Sequence, residues 1–428
     1  MIFKEFLNFT TYKTLILKEV SFQLIEKIIR IIFGLVVVKA ISFYLGPANY
    51  GVLNFIESYY LMLYGLAIFG LDIVVTKKFV KLKGKNKLGE FVFNCIIILL
   101  IISLFFFIIN TFTLINFIDI EYKNLIFLIS MLLFLNPILI IEYFLISENK
   151  LRYISIIKSI AYIISSSLKL AAVYFEYDLE VFILIIIIEN ILTYGGYLFL
   201  FRKQIHNINF KLNLNLQSQI LKESFPIFLY SLGAIIYSRI DIFMIQKYLS
   251  DEDLGYYSAS FKLVIFLLFL PGILSSSFFP KIVYESDKSL ESNYIRKMYR
   301  YTFSLSIIVS IICYLIGPFM IDILFGSKFE SSLIIFNILI FMIIISSISA
   351  VYGKVIYSVN LQNRLLLRSI IGIIINISCN YILIIRYGVI GSAIATIISL
   401  LFIELVYDFF DPYLKPYHKF KLKSIFKI

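Results

Sequence analysis

The sequence predicts an all-α polytopic membrane protein of twelve transmembrane helices arranged as two parallel six-helix repeats. Three observations predict it. First, 61% of the 428 residues are hydrophobic and the mean hydropathy is +0.93, whereas soluble domains run at about 45–50% apolar. Second, the excess gathers in runs such as FVFNCIIILLIISLFFFIIN (91–110) and VFILIIIIENIL (181–192); about 20 apolar residues carry a helix across a bilayer. Third, the Lys and Arg between the runs fall almost wholly on one side of the membrane.

The hydrophobic pattern places spans at about 20–45, 51–75, 90–116, 124–146, 154–175, 180–201, 223–247, 254–280, 298–322, 331–357, 366–385 and 389–409. Ahead of the first span, MIFKEFLNFTTYKTLILKEVSF lacks the pattern of a secretory signal and reads as an interfacial amphipathic lead-in. The organisation is then an N-terminal six-helix bundle (1–201), a cytoplasmic linker (202–222), a C-terminal six-helix bundle (223–409) and a basic cytoplasmic tail (410–428). Lysines and arginines of the N-terminus, loop 77–87, Lys150, Arg152, the linker, the segment around 281–300, Arg364, Arg368 and the tail collect on one side. Only Lys123, Lys247, Lys328 and Arg386 fall on the other. The positive side is cytoplasmic, so both termini are cytoplasmic and the span number is even. The expected location is the cytoplasmic membrane.

Several function classes fall away. The three cysteines (Cys95, Cys313, Cys379) sit apart in apolar runs, and the two histidines (His206, His418) fall in basic loops. No metal site and no catalytic residue are expected. The loop TKKFVKLKGKNK (76–87) reads as a topology determinant beside anionic lipid, not as a nucleic-acid surface.

Eight bases remain at membrane depth: Lys27, Arg30, Lys39, Lys158, Lys169, Arg239, Lys262 and Lys354. Acids at depth include Glu26, Glu57, Glu142, Glu189, Asp241 and Glu404. Each costs about 2.5–3.5 kcal/mol at a helix centre, so they face a bundle interior or a water-filled cavity.

A repeat is visible as an echo. KYLSDEDLGYYSAS (247–260) repeats FYLGPANYGVLN (43–54): Tyr44-Leu45 and Gly51 align with Tyr248-Leu249 and Gly255. Both segments are turns on the outer face, between spans one and two and between spans seven and eight. Ser250 and Asp253 have capping-box spacing, and the acids stand in a first helical turn, where the macrodipole favours anions. Two parallel six-span halves are a transporter architecture.

FPIFLYSLGAIIYSRIDIFMIQKYLSDEDLGYYSAS (225–260), SSSFFPKI (275–282) and RYGVIGSAIATIIS (386–399) carry a family resemblance. With them the chain resembles the MOP exporter superfamily and, within it, Wzx-type O-antigen and polysaccharide flippases. The turn EYDLEVF (176–182) departs from the pattern, lacking the Gly-x-x-Gly of the second half. The resemblance implies a V-shaped transporter with a central basic cavity. Its substrate would be an undecaprenyl-diphosphate type lipid-linked oligosaccharide, with membrane lipids, a polysaccharide polymerase and a chain-length regulator as further partners. No cofactor is implied; H+ or Na+ coupling is an expectation.

Within the spans, Lys158, Tyr162, Ser165 and Lys169 fall on one face of span five. This ladder suits an anionic headgroup and a sugar, or its lysines pair with acids of neighbouring spans. Glu26 and Arg30 form a pair at i, i+4, with Lys39 on the opposite side of span one. Asp241 lies on a stripe with Tyr230, Tyr237 and Ser238, where it balances a base such as Lys39 or Lys262 or takes part in proton coupling. Arg368, Gly372, Asn376 and Asn380 step by four along span eleven, and the asparagines read as helix-to-helix hydrogen-bonding groups. The candidate substrate-binding residues are thus Arg30, Lys39, Lys158, Tyr162, Lys169, Arg239 and Lys262. Glu26, Glu57, Glu142 and Asp241 are candidates for coupling or charge balance. A MATE-like exporter of small organic molecules would call for a carboxylate-dominated cavity, and a polysaccharide polymerase or ligase for a large outer loop; neither is present in this reading.

Overall fold

A computed structural model describes residues 2–82, 88–116, 121–202, 210–286, 292–359 and 361–426. The described chain is helical: α1 (Ile2–Ile68), α2 (Leu71–Leu82), α3 (Leu88–Asn116), α4 (Lys123–Ser130), α5 (Leu139–Ser147), α6 (Leu151–Tyr174), α7 (Leu179–Phe201), α8 (Leu214–Tyr248), α9 (Asp251–Ser286), α10 (Asn293–Phe325), α11 (Ser332–Leu339), α12 (Phe341–Ser358), α13 (Gln362–Leu401), α14 (Asp408–Phe410) and α15 (Lys415–Phe426). Among the described residues, nine helices are long and apolar enough to cross a membrane. Two of them cover two expected spans each and carry one non-helical glycine apiece, Gly46 in α1 (φ 69°) and Gly388 in α13 (φ 59°). Those glycines mark where the sequence places turns, and their positive φ is the conformation that costs glycine least.

Two spans break in ways the hydrophobic pattern does not show. The second expected span ends at Ile68. Phe69 and Gly70 take positive φ (55° and 69°) before α2 begins. The break is wedged in place, for a Cβ at Gly70 would stand 2.8 Å from the Phe228 nitrogen and 2.9 Å from the Ser224 carbonyl. In the fourth expected span a 3-10 stretch, Met131–Ile138, separates α4 from α5. Pro137 lies inside it and removes a backbone donor. Runs of 3-10 helix longer than three or four residues are uncommon and mark strain or hinges.

The expected linker 202–222 is shorter than the composition suggests. Residues 214–222 are the first turns of α8, and 203–209, like 83–87 of the basic loop, lie outside the described residues. α8 starts there because Asn213 caps it, accepting from the Leu216 N–H at 3.0 Å. Asn94 of α3 fixes the cap by accepting from the Asn213 N–H (2.9 Å) and donating to the Lys211 carbonyl (2.9 Å).

The chain divides into two compact units: Met1–Tyr44 with Ile56–Leu232, and Leu45–Phe55 with Gly233–Ile428. The first unit packs Phe79, Phe91, Cys95, Leu99, Ile140 and Tyr197 into one core. Polar side chains tie its helices: Tyr59 donates to Asn110 at 2.7 Å and Asn136 to Ser103 at 3.2 Å. The second unit has a core of Ile295, Tyr299, Val351, Tyr352, Val355 and Leu414. It includes residues 45–55 because Tyr50 is buried edge-on to Phe325 and Phe329, with ring centroids 6.0 and 5.7 Å away. The outward faces are apolar, with Ile115, Leu315 and Phe319 among the most exposed side chains. Lipid accepts such a surface and water does not.

Candidate functional site

In the first unit the four side chains that spacing puts on one face of span five are all engaged. Lys158, Tyr162, Ser165 and Lys169 of α6 all reach polar groups of neighbouring helices. Lys158 Nζ donates to Glu142 Oε1 of α5 at 2.6 Å, and Tyr197 of α7 donates to the other oxygen of that carboxylate at 2.9 Å. Tyr162 donates to the Arg30 carbonyl at 3.3 Å, and the Arg30 guanidinium lies 4.8 Å over its ring. Ser165 donates to Glu189 Oε2 at 2.7 Å, and Lys169 Nζ stands 3.7 Å from the same oxygen.

Glu189 of α7 is the hub. Besides Ser165 and Lys169 it faces Arg30 Nη1 at 3.7 Å, while Arg30 Nε donates to Glu26 at 3.0 Å. Arg30, Lys158 and Lys169 therefore meet Glu26, Glu142 and Glu189, three charges against three. The ladder is not a bare positive surface, as one of its two readings had it; each base is held by a carboxylate. Arg30 remains the most accessible of the three, its side chain 36% exposed against 29% for Lys158 and 12% for Lys169. Glu189 and Tyr197 were not among the residues singled out from spacing. The signal for Glu189 was its position inside the run VFILIIIIENIL. Lys39 is exposed and stands apart from this cluster, its ammonium 5.7 Å over the Phe43 ring. Glu57 is half-buried on α1.

The second unit holds a different centre. Asp241 of α8 is 4% exposed. Its Oδ1 accepts from Asn380 at 2.7 Å, and its Oδ2 accepts from Thr396 at 2.7 Å and Tyr257 at 2.8 Å. The shell continues through Ser392, which donates to Asn380 (2.8 Å), and Asn376, which donates to Ser399 (3.2 Å). Of the two bases named as partners for Asp241 in one of its two readings, Lys262 donates to Asn54 at 3.3 Å, its ammonium 5.8 Å from the Tyr50 ring centre. Among the described residues no base pairs with Asp241. Asn376 and Asn380 bond other side chains, as their burial requires. Arg239, two residues before Asp241, is half-buried.

A third group of charges is structural. Arg368 of α13 pairs with Glu404 and, at 3.0 Å, with Asp408. Lys421 of α15, only 1% exposed, pairs with Glu404 at 2.8 Å and Asp408 at 2.9 Å. Glu404 lies in a π-helical turn, Phe402–Tyr407, that follows α13.

A family model described as polysaccharide biosynthesis protein matches residues 16–284. A probable low-salt glycan biosynthesis flippase of Haloferax volcanii, Agl15, is 23% identical over 200 residues, which span 44% of this chain and 42% of that relative. The fold is similar to a solved structure of the lipid II flippase MurJ in an inward closed conformation (TM-score 0.70, 18% identity, 95% of this chain and 90% of that one). It is also similar to an inward-facing multidrug resistance MATE transporter of the MOP superfamily (TM-score 0.64, 14% identity, 87% and 93%).

Proposed function

The chain belongs to the polysaccharide biosynthesis protein family, and from that premise we propose that it flips a polyprenyl-diphosphate-linked oligosaccharide across the cytoplasmic membrane by alternating access. The glycan is an O-antigen unit or another surface-polysaccharide repeat. The observation that carries this reading is the Arg30–Glu189–Lys169 cluster, in which two bases share one carboxylate at 3.7 Å each. At such distances a unit charge pair is worth about 4 kcal/mol at an effective dielectric of 20. A diphosphate carries more negative charge than Glu189 and competes with it for both bases. Without substrate Glu189, together with Glu26 on Arg30, keeps the bases in place and the group neutral overall; with substrate they turn to the headgroup, and Glu189 takes them back on release. No bond is made or broken, so no catalytic residue is needed. An exporter of organic cations would need an excess of acid here, and the cluster is balanced.

In this reading the chain crosses twelve times as two parallel repeats with both termini cytoplasmic. Gly46 and Gly388 support it by dividing α1 and α13 into two spans each, and the Lys and Arg bias sets the orientation. Asp241, a buried carboxylate that no base pairs among the described residues, is the coupling site, neutralised by H+ or Na+.

The test is deletion of the gene followed by assay of lipid-linked repeat units and surface polysaccharide. The wild-type gene restores export. Arg30→Gln combined with Lys169→Met, expressed to the same membrane level, restores it at least about ten-fold less well, the loss expected for one charge-assisted contact. Export equal to wild type would defeat the site. Unchanged surface glycan in the deletion strain would defeat the function.

A further inference from the structure

A cavity of about 570 Å³ opens in the first unit between α2 with the end of α1 and α5. That volume lies within the roughly 300–1,000 Å³ of small-molecule sites. Both walls start at the two irregular backbones of this unit. One wall follows the Phe69–Gly70 break, the other the 3-10 stretch through Pro137. Irregular backbone within a membrane protein is tolerated where it is buried in protein or lines a cavity, and discontinuous helices line transporter binding sites.

The α2 helix divides its residues between two tasks. Leu71, Val74, Val75 and Phe79 are buried in the core, whereas Asp72, Thr76 and Lys77 line the cavity. From across it come Glu142 and Tyr143, and Tyr64 from before the break. Two polar groups there stand out. The Asp72 carboxylate meets no base among the described residues. The Tyr143 hydroxyl is buried and has no hydrogen-bond partner among the described residues, its residue 5% exposed. A buried hydroxyl left unpaired in the protein is out of the ordinary.

The charges choose among ligands. Glu142 is already neutralised by Lys158 at 2.6 Å, and Lys77 stands on the same wall as Asp72. With no net charge the cavity favours neither phosphate nor a bare cation, and the described residues hold no cluster of ligands able to take a metal ion. What it offers is carboxylate oxygens with free lone pairs, a hydroxyl in need of a partner, tyrosine rings and the apolar Ile73, Leu139 and Ile146. Sugar rings present that complement: adjacent hydroxyls for a carboxylate and C–H faces for aromatic and aliphatic walls. We infer that this cavity is a subsite for a neutral sugar ring of the transported glycan, with Asp72 and Tyr143 as its hydrogen-bonding groups. The inference rests on the flippase reading but concerns a site apart from the Arg30–Glu189–Lys169 cluster.

The test is saturation-transfer NMR on the full-length protein in lipid nanodiscs with glucose, galactose, N-acetylglucosamine and maltose as probes. At least one gives saturation transfer. The signal falls roughly five-fold, the worth of about one hydrogen bond, in Asp72→Asn and in Tyr143→Phe, and is indifferent to inorganic phosphate. The Tyr143→Phe variant guards against misfolding as an explanation. Its hydroxyl bonds nothing among the described residues, so a purely structural role leaves melting and sugar signal unchanged. Three results overturn the subsite: no probe binds, binding persists undiminished in both variants, or phosphate or sodium displaces the sugar. The deletion assay stands apart from all three. Unchanged surface glycan there would sink the transport reading and leave sugar binding in place, whereas sugar signals indifferent to both variants would sink only the subsite.

Discussion

Asp241 carries an unresolved charge: three neutral donors surround it and, among the described residues, no base pairs with it. An ionised carboxylate buried in this way costs several kcal/mol unless it is compensated. Tyr257, Thr396 and Asn380 lower that cost without removing it, since hydrogen bonds solvate a charge but do not neutralise it. A transported H+ or Na+ would. Asp241→Asn keeps the size and can still bond hydroxyls that rotate, so the fold is expected to survive with equal or higher melting temperature. Export in the deletion strain complemented with this variant should become insensitive to proton and sodium ionophores; retained sensitivity to either would remove Asp241 from coupling. Which residues are paired was legible only where the pair is local. Glu26 and Arg30 were readable because one helical turn brings i and i+4 together. Lys158 and Glu142, or Lys169 and Glu189, meet across helices, and no spacing along the chain predicts that.

At the scale of elements, apolar runs located the helices, and glycine marked the turns within α1 and α13. The breaks at Phe69–Gly70 and through Pro137 were hidden because hydrophobicity continues across them. The tail was the larger surprise. KPYHKFKLKSIF (415–426) has the composition of a solvated basic segment, yet α15 docks on the second unit. Arg300 donates to the Ser424 carbonyl at 2.8 Å, and Lys421 reaches two buried acids. The stability of this docking depends on pH through His418. Burial holds its pKa down at about 4, with the Lys421 and Arg368 charges acting the same way and Glu404 opposing. A free imidazole titrates near 6.5. The folded value is depressed, so the undocked segment takes up a proton first. His418's contribution to docking is fully present above about pH 6.5 and is lost as pH falls towards 4. Limited proteolysis of the full-length protein in detergent should therefore release the C-terminal segment faster at pH 5 than at pH 7.5. Lys421→Met strands Glu404 and Asp408 with Arg368 alone and should release the segment at both pH values, whereas His418→Gln should flatten the difference. Undiminished pH dependence in His418→Gln would exclude this histidine.

At the scale of the whole chain, the echo between 43–54 and 247–260 has a physical counterpart inside the second unit. A Cβ on Gly51 would collide with the Asp251 carbonyl oxygen, and a Cβ on Gly255 with the Pro47 carbonyl oxygen. Residues 47 and 251, like 51 and 255, differ by the same 204 positions as the repeated letters. The contact occurs twice with its partners exchanged, as an approximate two-fold relation requires. Gly51 and Gly255 are therefore glycine for lack of space. In lipid, where helices gain little from burying apolar surface against one another, such close approach of backbones is a main source of packing energy. Gly46 is the contrasting case: its φ is +69° but a Cβ there meets nothing within 4 Å. Gly51→Ala and Gly255→Ala should each destabilise by about 1–3 kcal/mol through overpacking, in similar amounts because they abut equivalent carbonyls. Gly46→Ala should cost about 1–3 kcal/mol from its backbone alone (φ 69°, ψ 179°), a conformation held essentially by glycine. The double variant Gly51→Ala, Gly255→Ala separates the two mechanisms. Once the first methyl has pushed the helices apart, the second adds less than its single cost, whereas adding Gly46→Ala to either gives a sum. Melting of the purified proteins in detergent, followed with a thiol-reactive dye at the three buried or half-buried cysteines, measures all of these. Full additivity of Gly51→Ala with Gly255→Ala would show that the two glycines do not share one contact.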